Sequence, residues 1–367
     1  MNILYIGQYT AGTTSKMRAD QLKSLLSADA SPLTSQLSPL HFDVIDTHIP
    51  FHQCKQPWRS LGFRYKRGPL IKKLNAYIIK QVNQLLNAST PKIQTINPKP
   101  YKLIWIDKAI FITPRTTRYL KSLTSKLVHF TPDPAFTFHK SKLFRQSLGY
   151  YDFAITTKQY ELDYFRRFLP IDRLIYATQG FDKKLHLPSI KFEDKNKGVL
   201  FIGHYEKERE LVVEMLLNNN IDVSIAGIKW EKFAKQHAQN KYFTYFGKGI
   251  YGQDYVKALS NYYFSWGSVS KWIPELHTTR TFEIPACGTA LITERNSEIT
   301  AFFNDDEAIF YDSLDELIEK INYYQNHPQE LEQLTQKGTE RVHRDGRDYE
   351  SILRKVLYEI GMLPILE

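Results

Sequence analysis

Glu275-Leu-His-Thr-Thr-Arg-Thr-Phe-Glu-Ile-Pro-Ala-Cys-Gly-Thr-Ala-Leu-Ile-Thr293 reads as one unit of an alternating α/β chain. A helix opening near Thr278 carries Glu283 inside it and leaves Glu275 in the loop before it. Ala286-Cys-Gly288 then turns the chain into an apolar strand over 290–293. The two carboxylates, with seven residues between them, straddle a helix N-terminus. Free N–H groups and the macrodipole favour an anion such as a diphosphate there. A plainer reading stands beside it: Arg280 and Glu283, three apart on one helical face, form a surface ion pair worth about a few tenths of a kcal/mol.

Short apolar strands alternate with helical patterns on both sides of this unit, as in doubly wound α/β domains. Strands are expected at 3–7, 42–46, 103–106, 127–131, 153–156 and 174–176, and again at 199–202, 223–226, 243–246, 263–266, 290–293 and 308–311. Helical periodicity covers 16–26, 70–86 and 116–123, while 51–69 breaks the pattern and reads as a loop, either an irregular surface insertion or one facing a cleft. A chain of 367 residues exceeds what one core usually supports. The expected division is a first domain over 1–181, a polar linker over 182–197, a second domain over 198–345 and a closing helical segment over 346–367.

Composition narrows the function classes. No run of about 18 apolar residues occurs, which argues against a spanning helix. The opening Met-Asn-Ile-Leu-Tyr-Ile-Gly lacks the basic and long apolar regions of a signal peptide and is expected to be the first strand. Only Cys54 and Cys287 are present, too few for a disulfide framework, so a reducing cytoplasm is the expected compartment. A net charge of +10 would attract nucleic acid, anionic lipid headgroups or acidic glycans. The basic residues are dispersed apart from Arg64-Tyr-Lys-Arg67 and Lys72-Lys73, so no nucleic-acid stripe is visible and no nucleic-acid partner is expected. The charge leaves two readings open: plain solubility, or steering toward a membrane-borne or acidic acceptor.

The run Arg280-Thr-Phe-Glu-Ile-Pro-Ala-Cys-Gly288 before a strand resembles the signature of group-1 glycosyltransferases, in particular the spore-maturation CgeB-like branch. Four N-terminal runs resemble that branch in order: Lys102-Leu-Ile-Trp-Ile-Asp-Lys108, Ile112-Thr-Pro-Arg-Thr-Thr-Arg-Tyr-Leu120, Val128-His-Phe-Thr-Pro-Asp-Pro134 and Tyr151-Asp-Phe-Ala-Ile-Thr-Thr157. So does Val199-Leu-Phe-Ile-Gly-His-Tyr-Glu-Lys-Glu-Arg209. The resemblance implies the GT-B architecture: two Rossmann-like doubly wound α/β domains facing a cleft, with a C-terminal helix crossing back to the first. It implies transfer of a hexosyl group from a nucleotide-diphospho-sugar to a glycan, lipid-linked or protein acceptor in polysaccharide biosynthesis; on the second reading of the charge, the chain associates peripherally with the inner face of the membrane. In this E-x7-E pattern Glu283 would hold the ribose and Glu275 would lie by the sugar at the catalytic centre, and such enzymes retain anomeric configuration. Where the family tends to show His-Thr-Tyr near the C-terminus, this chain has Arg347-Asp348-Tyr349, and no role is carried to that arginine.

Sugar transfer also requires neutralisation of the leaving phosphates. No two aspartates stand two positions apart, so a metal held by an Asp-x-Asp pair is not expected, nor any other cofactor. The alternative is cationic side chains and helix N-termini: Arg209 after the Gly203 turn, Arg280 with its neighbour Thr279, and Lys207. The order around Arg209 departs from the common group-1 spacing, and Lys207 and Arg209 read equally as solvated residues of a first helical turn. The small, polar loop 8–15 with Gly12 suits a cleft lining, although Thr13 or Thr14 there is equally an N-cap. Lys108 and Asp133 end apolar strands, where open α/β sheets place ligand contacts. Asp133 either orients an acceptor hydroxyl or caps the next helix. His277, two residues after Glu275, is grouped with the catalytic centre. Gly247-Lys-Gly-Ile-Tyr-Gly252 fits a dinucleotide fingerprint, but its position favours a plain turn beside a nucleobase pocket. Two other classes remain: a non-catalytic nucleotide-binding protein of the same fold, and a basic nucleic-acid-binding protein.

Overall fold

The structure, a computed structural model, describes residues 1–28, 40–88 and 99–364. The chain forms two compact units, Met1–Thr178 with Ile352–Glu367, and Gln179–Ser351.

In the first unit six strands form one parallel sheet: β1 (Asn2–Gly7), β2 (His41–Asp46), β3 (Tyr101–Asp107), β4 (Thr124–Thr131), β5 (Phe153–Thr156) and β6 (Leu174–Tyr176). Their order is β2-β1-β3-β4-β5-β6. In the second unit β7 (Asn196–Ile202), β8 (Val223–Ala226), β9 (Phe243–Tyr245), β10 (Tyr262–Trp266), β11 (Ala290–Glu294) and β12 (Ile309–Tyr311) form another. Their order is β12-β11-β10-β7-β8-β9 and every pairing is parallel. Strands covered by helices on both faces need apolar side chains in both directions. Leu103, Ile104, Trp105 and Ile106 of β3 are accordingly all buried, as are Val199, Leu200 and Phe201 of β7. The twelve expected strands are present, with ends shifted by up to three residues.

Two expectations need correction. The segment 51–69, read as a loop, holds the end of the helix His48–His52 and the whole of the helix Trp58–Tyr65. Pro57 stands at the helix N-cap, where it is tolerated. Gly62 is a close-approach residue, for a Cβ there would lie 2.5 Å from Cβ of Leu70. The stretch 182–197, read as a linker, lies inside the second unit; the chain passes between units after Thr178 and again after Ser351. Phe181 is buried and its backbone pairs with Asp348, while Arg347 stacks on Phe282 and Phe302. Arg347-Asp348-Tyr349 thus fastens the start of the second unit to its end. The C-terminal helix Tyr349–Glu359 begins in the second unit, and from Ile352 onward its residues belong to the first. Among the described residues no helix is long and apolar enough to cross a membrane.

Candidate active site

In the second unit β7 and β10 are neighbours whose chain connections leave in opposite directions. A crevice opens beyond the C-terminal ends of such a pair. The loop after β7 is held by backbone contact: Gly203 N donates to Ala226 O (2.9 Å) and Trp230 Nε1 donates to Gly203 O (3.0 Å). A Cβ at Gly227 would stand 1.8 Å from Gly203 O, so only glycine permits this approach. The helix Lys207–Asn218 leaves that loop with Arg209 turned inward and almost fully buried.

Two guanidinium groups converge here. Arg209 donates from Nε to Ser268 Oγ (3.2 Å) and from Nη1 to His204 O (2.9 Å), and pairs with Glu206 (3.1 Å). Arg280, the first residue of the helix Arg280–Ala286, donates to Ile202 O (2.8 Å) and Ser268 O (2.9 Å). It therefore ties the ends of β7 and β10 together. Both guanidiniums lie over the Phe201 ring, at 5.4 and 5.8 Å. Burial and then the neighbouring Arg280 charge lower the Arg209 pKa to about 10, with Glu206 and Glu275 opposing. Like charges held together out of water favour a nearby anion, and Glu206 supplies part of that charge.

Glu275 lies in the loop before the helix, close enough for its charge to act on Arg209. Thr279 stands at the N-cap, where its carbonyl accepts from Phe282 and Glu283 and its hydroxyl makes no capping bond. Glu283 is inside the helix and buried, and it does not pair with Arg280 as the surface reading required. Its Oε2 accepts from Tyr255 OH (2.7 Å), and His186 Nε2 faces Oε1 at 3.7 Å. Burial, reinforced by the Glu283 charge, holds the Tyr255 phenol protonated and therefore donating. Gly288, at φ 69°, then ends the helix with its N–H bonded to Pro285 O, a left-handed position suited to glycine.

If Glu283 accepts hydrogen bonds from ribose hydroxyls, Glu283→Gln weakens nucleoside diphosphate affinity by about 1–3 kcal/mol. Titration calorimetry on the folded variant checks this. Unchanged affinity would reduce Glu283 to a partner of Tyr255.

Two of the expected site residues serve other purposes. Lys207 is exposed and pairs with Glu210, because two helical positions apart means about 200° around the axis, on the face opposite Arg209. His277 is buried with both ring nitrogens engaged: Nε2 accepts from Gln179 N (3.2 Å) and Nδ1 bonds Glu298 (2.6 Å). Packed against Phe282 and Phe302, it steadies the loop instead of entering the site. The glycine run 247–252 is a turn that opens the helix Gly252–Ser260, the element that delivers Tyr255 to Glu283.

The remaining expected residues belong to the first unit. Gly12, exposed at φ 79°, shapes the loop between β1 and the helix Thr14–Ala28, and Thr13 Oγ1 accepts from Lys16 N (3.4 Å) as a weak cap. Lys108 follows β3 and pairs with Asp133, which follows β4. Asp133 caps no helix; the next one, Lys142–Ser147, is capped by Ser141. Withdrawal from water pushes the Asp133 carboxyl up, but Lys108, with His139 and Lys158 adding to it, makes the net shift downward. The sequence reading missed Tyr255, His186, Glu206 and Ser268, whose type and spacing carry no signal until the strands are assembled. Among the described residues no three His, Cys, Asp or Glu side chains stand together as a metal-ligand set.

Residues 207–357 match the model of a family described as Glycosyl transferase-like. No curated protein matches the chain. Among solved structures it is similar to Anabaena HepE in complex with UDP-glucose, at a TM-score of 0.62 and 14% identity over 99% of this chain and all of the other. It is likewise similar to sucrose-phosphate synthase from Thermosynechococcus elongatus, at 0.62 and 15% over 98% of both chains. A glycosyltransferase from Rickettsia africae scores 0.59 at 12% identity over 97% of both. The fold is that of the GT-B glycosyltransferases, with two Rossmann-like units, and together with the family match it supports a group-1 glycosyltransferase. HepE is described in complexes with UDP, with UDP and glucose, and with UDP-glucose.

Proposed function

We propose that this protein is a glycosyltransferase of the CgeB-like branch that moves a hexosyl group from a nucleotide-diphospho-sugar, with UDP as the first nucleotide to test, to a glycan, lipid-linked or protein acceptor. The observation that carries the proposal is the pair Arg209 and Arg280, stacked over Phe201 beyond the ends of β7 and β10, with the Glu275 charge beside them. In this reading the two guanidiniums meet the diphosphate, Glu283 meets the ribose and Glu275 faces the sugar. As bonding to the anomeric carbon fails, negative charge develops on the β-phosphate, and preorganised cations stabilise it most where water is excluded. Glu275, on the sugar side of the same arginines, is suited to stabilising positive charge developing at the sugar ring. The E-x7-E spacing supports retention of configuration. Asp133 is assigned to an acceptor hydroxyl, on the strength of its place at the end of β4 in the first unit.

The expected chemistry needs no divalent metal, because the arginines take the role a metal would have at the phosphates. Donor hydrolysis or transfer should therefore persist in excess EDTA at close to its untreated rate. Abolition by EDTA with rescue by manganese or magnesium would overturn the phosphate assignment. The nucleobase is found by a thermal-shift comparison of UDP, GDP, CMP and dTDP, since a ligand at 100 times its Kd adds about 2.7 kcal/mol to stability. No stabilisation by any of the four would overturn the donor reading itself.

A further inference from the structure

The helix Trp58–Tyr65, the turn after β3 and the loop after β4 bring an unusual set of groups together within the first unit. Lys66 is buried, lies over the Phe63 ring (4.7 Å) and the Phe111 ring (5.1 Å), and donates to Phe63 O. Phe63 in turn meets His139 edge-on at 6.2 Å, and His139 Nε2 lies 3.8 Å from the Asp133 carboxylate that Lys108 holds. Lys66 and Lys108 both adopt left-handed backbone conformations, at φ 53° and 56°. Non-glycine residues are strained there, and such strain clusters at functional sites. The face is open to solvent: Phe63 is 40% and Phe138 52% exposed.

Two lysines, Lys66 and Lys108, share this face with Asp133, which pairs with Lys108. Burial and then Lys108 bring Lys66 down to about 8 and His139 to about 4, although Asp133 pulls His139 the other way and Lys66 adds to the depression. His48 is lowered by burial, with Lys108 and His52 adding to it against Asp46. Lys108 thus repels charge on three basic neighbours, while Asp133 and Asp46 oppose it. The aromatic rings beside these cations present apolar faces of the kind that pack on the C–H face of a pyranose.

We infer that this edge of the first unit binds a saccharide carrying a phosphate or carboxylate group, with the anion between Lys66 and Lys108 and the ring against Phe63. Its assignment as the acceptor rests on the glycosyl-transfer reading; the binding site itself does not. The test is titration calorimetry of glucose, glucose 6-phosphate, glucuronate and inorganic phosphate, with and without saturating UDP. Glucose 6-phosphate or glucuronate should bind at least about tenfold more tightly than either glucose or inorganic phosphate. Lys66→Met should abolish that preference and Lys66→Arg restore it, with UDP affinity unchanged in both. Equal binding of charged and neutral sugars, or a folded Lys66→Met that keeps the preference, would overturn the inference. Inorganic phosphate binding as tightly as the sugar phosphate would remove the saccharide and overturn it too. So would Lys66-dependent binding to phosphatidylcholine vesicles only when they contain phosphatidylglycerol, with no sugar anion bound. Absence of UDP binding with the sugar-anion preference intact would sink the donor reading and leave this site standing. Should Lys66→Met fail to fold, the salt dependence of the wild-type preference decides, since an electrostatic preference collapses between about 50 and 500 mM salt.

Discussion

Glu275→Ala should lower donor turnover by about 100-fold or more, while the affinity for free UDP stays within about twofold of the parent protein. The split follows from where the carboxylate lies. Glu275 precedes the helix that contains Glu283 and sets its charge against Arg209 from outside the helix. A group that faces the sugar strengthens its interaction as charge develops in the transition state, which lowers kcat without weakening ground-state binding of the nucleotide. A 100-fold loss corresponds to about 2.7 kcal/mol of transition-state stabilisation. Turnover and UDP affinity are measured on the same preparation. If both stay near the parent values, the seven-residue spacing is coincidental. Should affinity collapse along with turnover, the roles of Glu275 and Glu283 are reversed.

Arg209→Gln should weaken UDP binding by about 10- to 100-fold while changing uridine binding by less than about twofold. Removing a charged hydrogen-bonding partner costs about 1.5–3 kcal/mol, and about 1.4 kcal/mol is a factor of ten. Uridine lacks the phosphates, so it reports whether the loops after β7 and β10 survive the substitution. That control matters because Arg209 also bonds His204 O and Ser268 Oγ. Equal weakening of UDP and uridine would make Arg209 a structural clamp on the loops, and unchanged UDP binding would remove it from the phosphate site.

The fold was legible in the sequence because parallel strands buried on both faces write themselves as short apolar runs, β3 and β7 most plainly. Their alternation with helical periods leaves few topologies open. The helix Trp58–Tyr65 was missed because Pro57 and Gly62 break a local pattern for reasons that lie elsewhere: an N-cap, and the approach of Leu70. Lys207 and Arg209 look interchangeable in a string of letters, yet the pitch of one helix sends the first to solvent and the second into the crevice.

The sequence by itself determined the two series of strands, the placing of Glu275 and Glu283 on either side of a helix start, and the absence of an Asp-x-Asp pair. These are local properties, set by period, turn chemistry and residue type. Only the tertiary structure decided that Arg280 spends its donors on Ile202 O and Ser268 O, that Tyr255 holds Glu283, that His277 is a buried strut and that Lys66 meets Phe63 and Phe111. Each of these joins residues that are not neighbours on the local element, and their meeting depends on strand order and backbone approach, which no single stretch of the chain encodes.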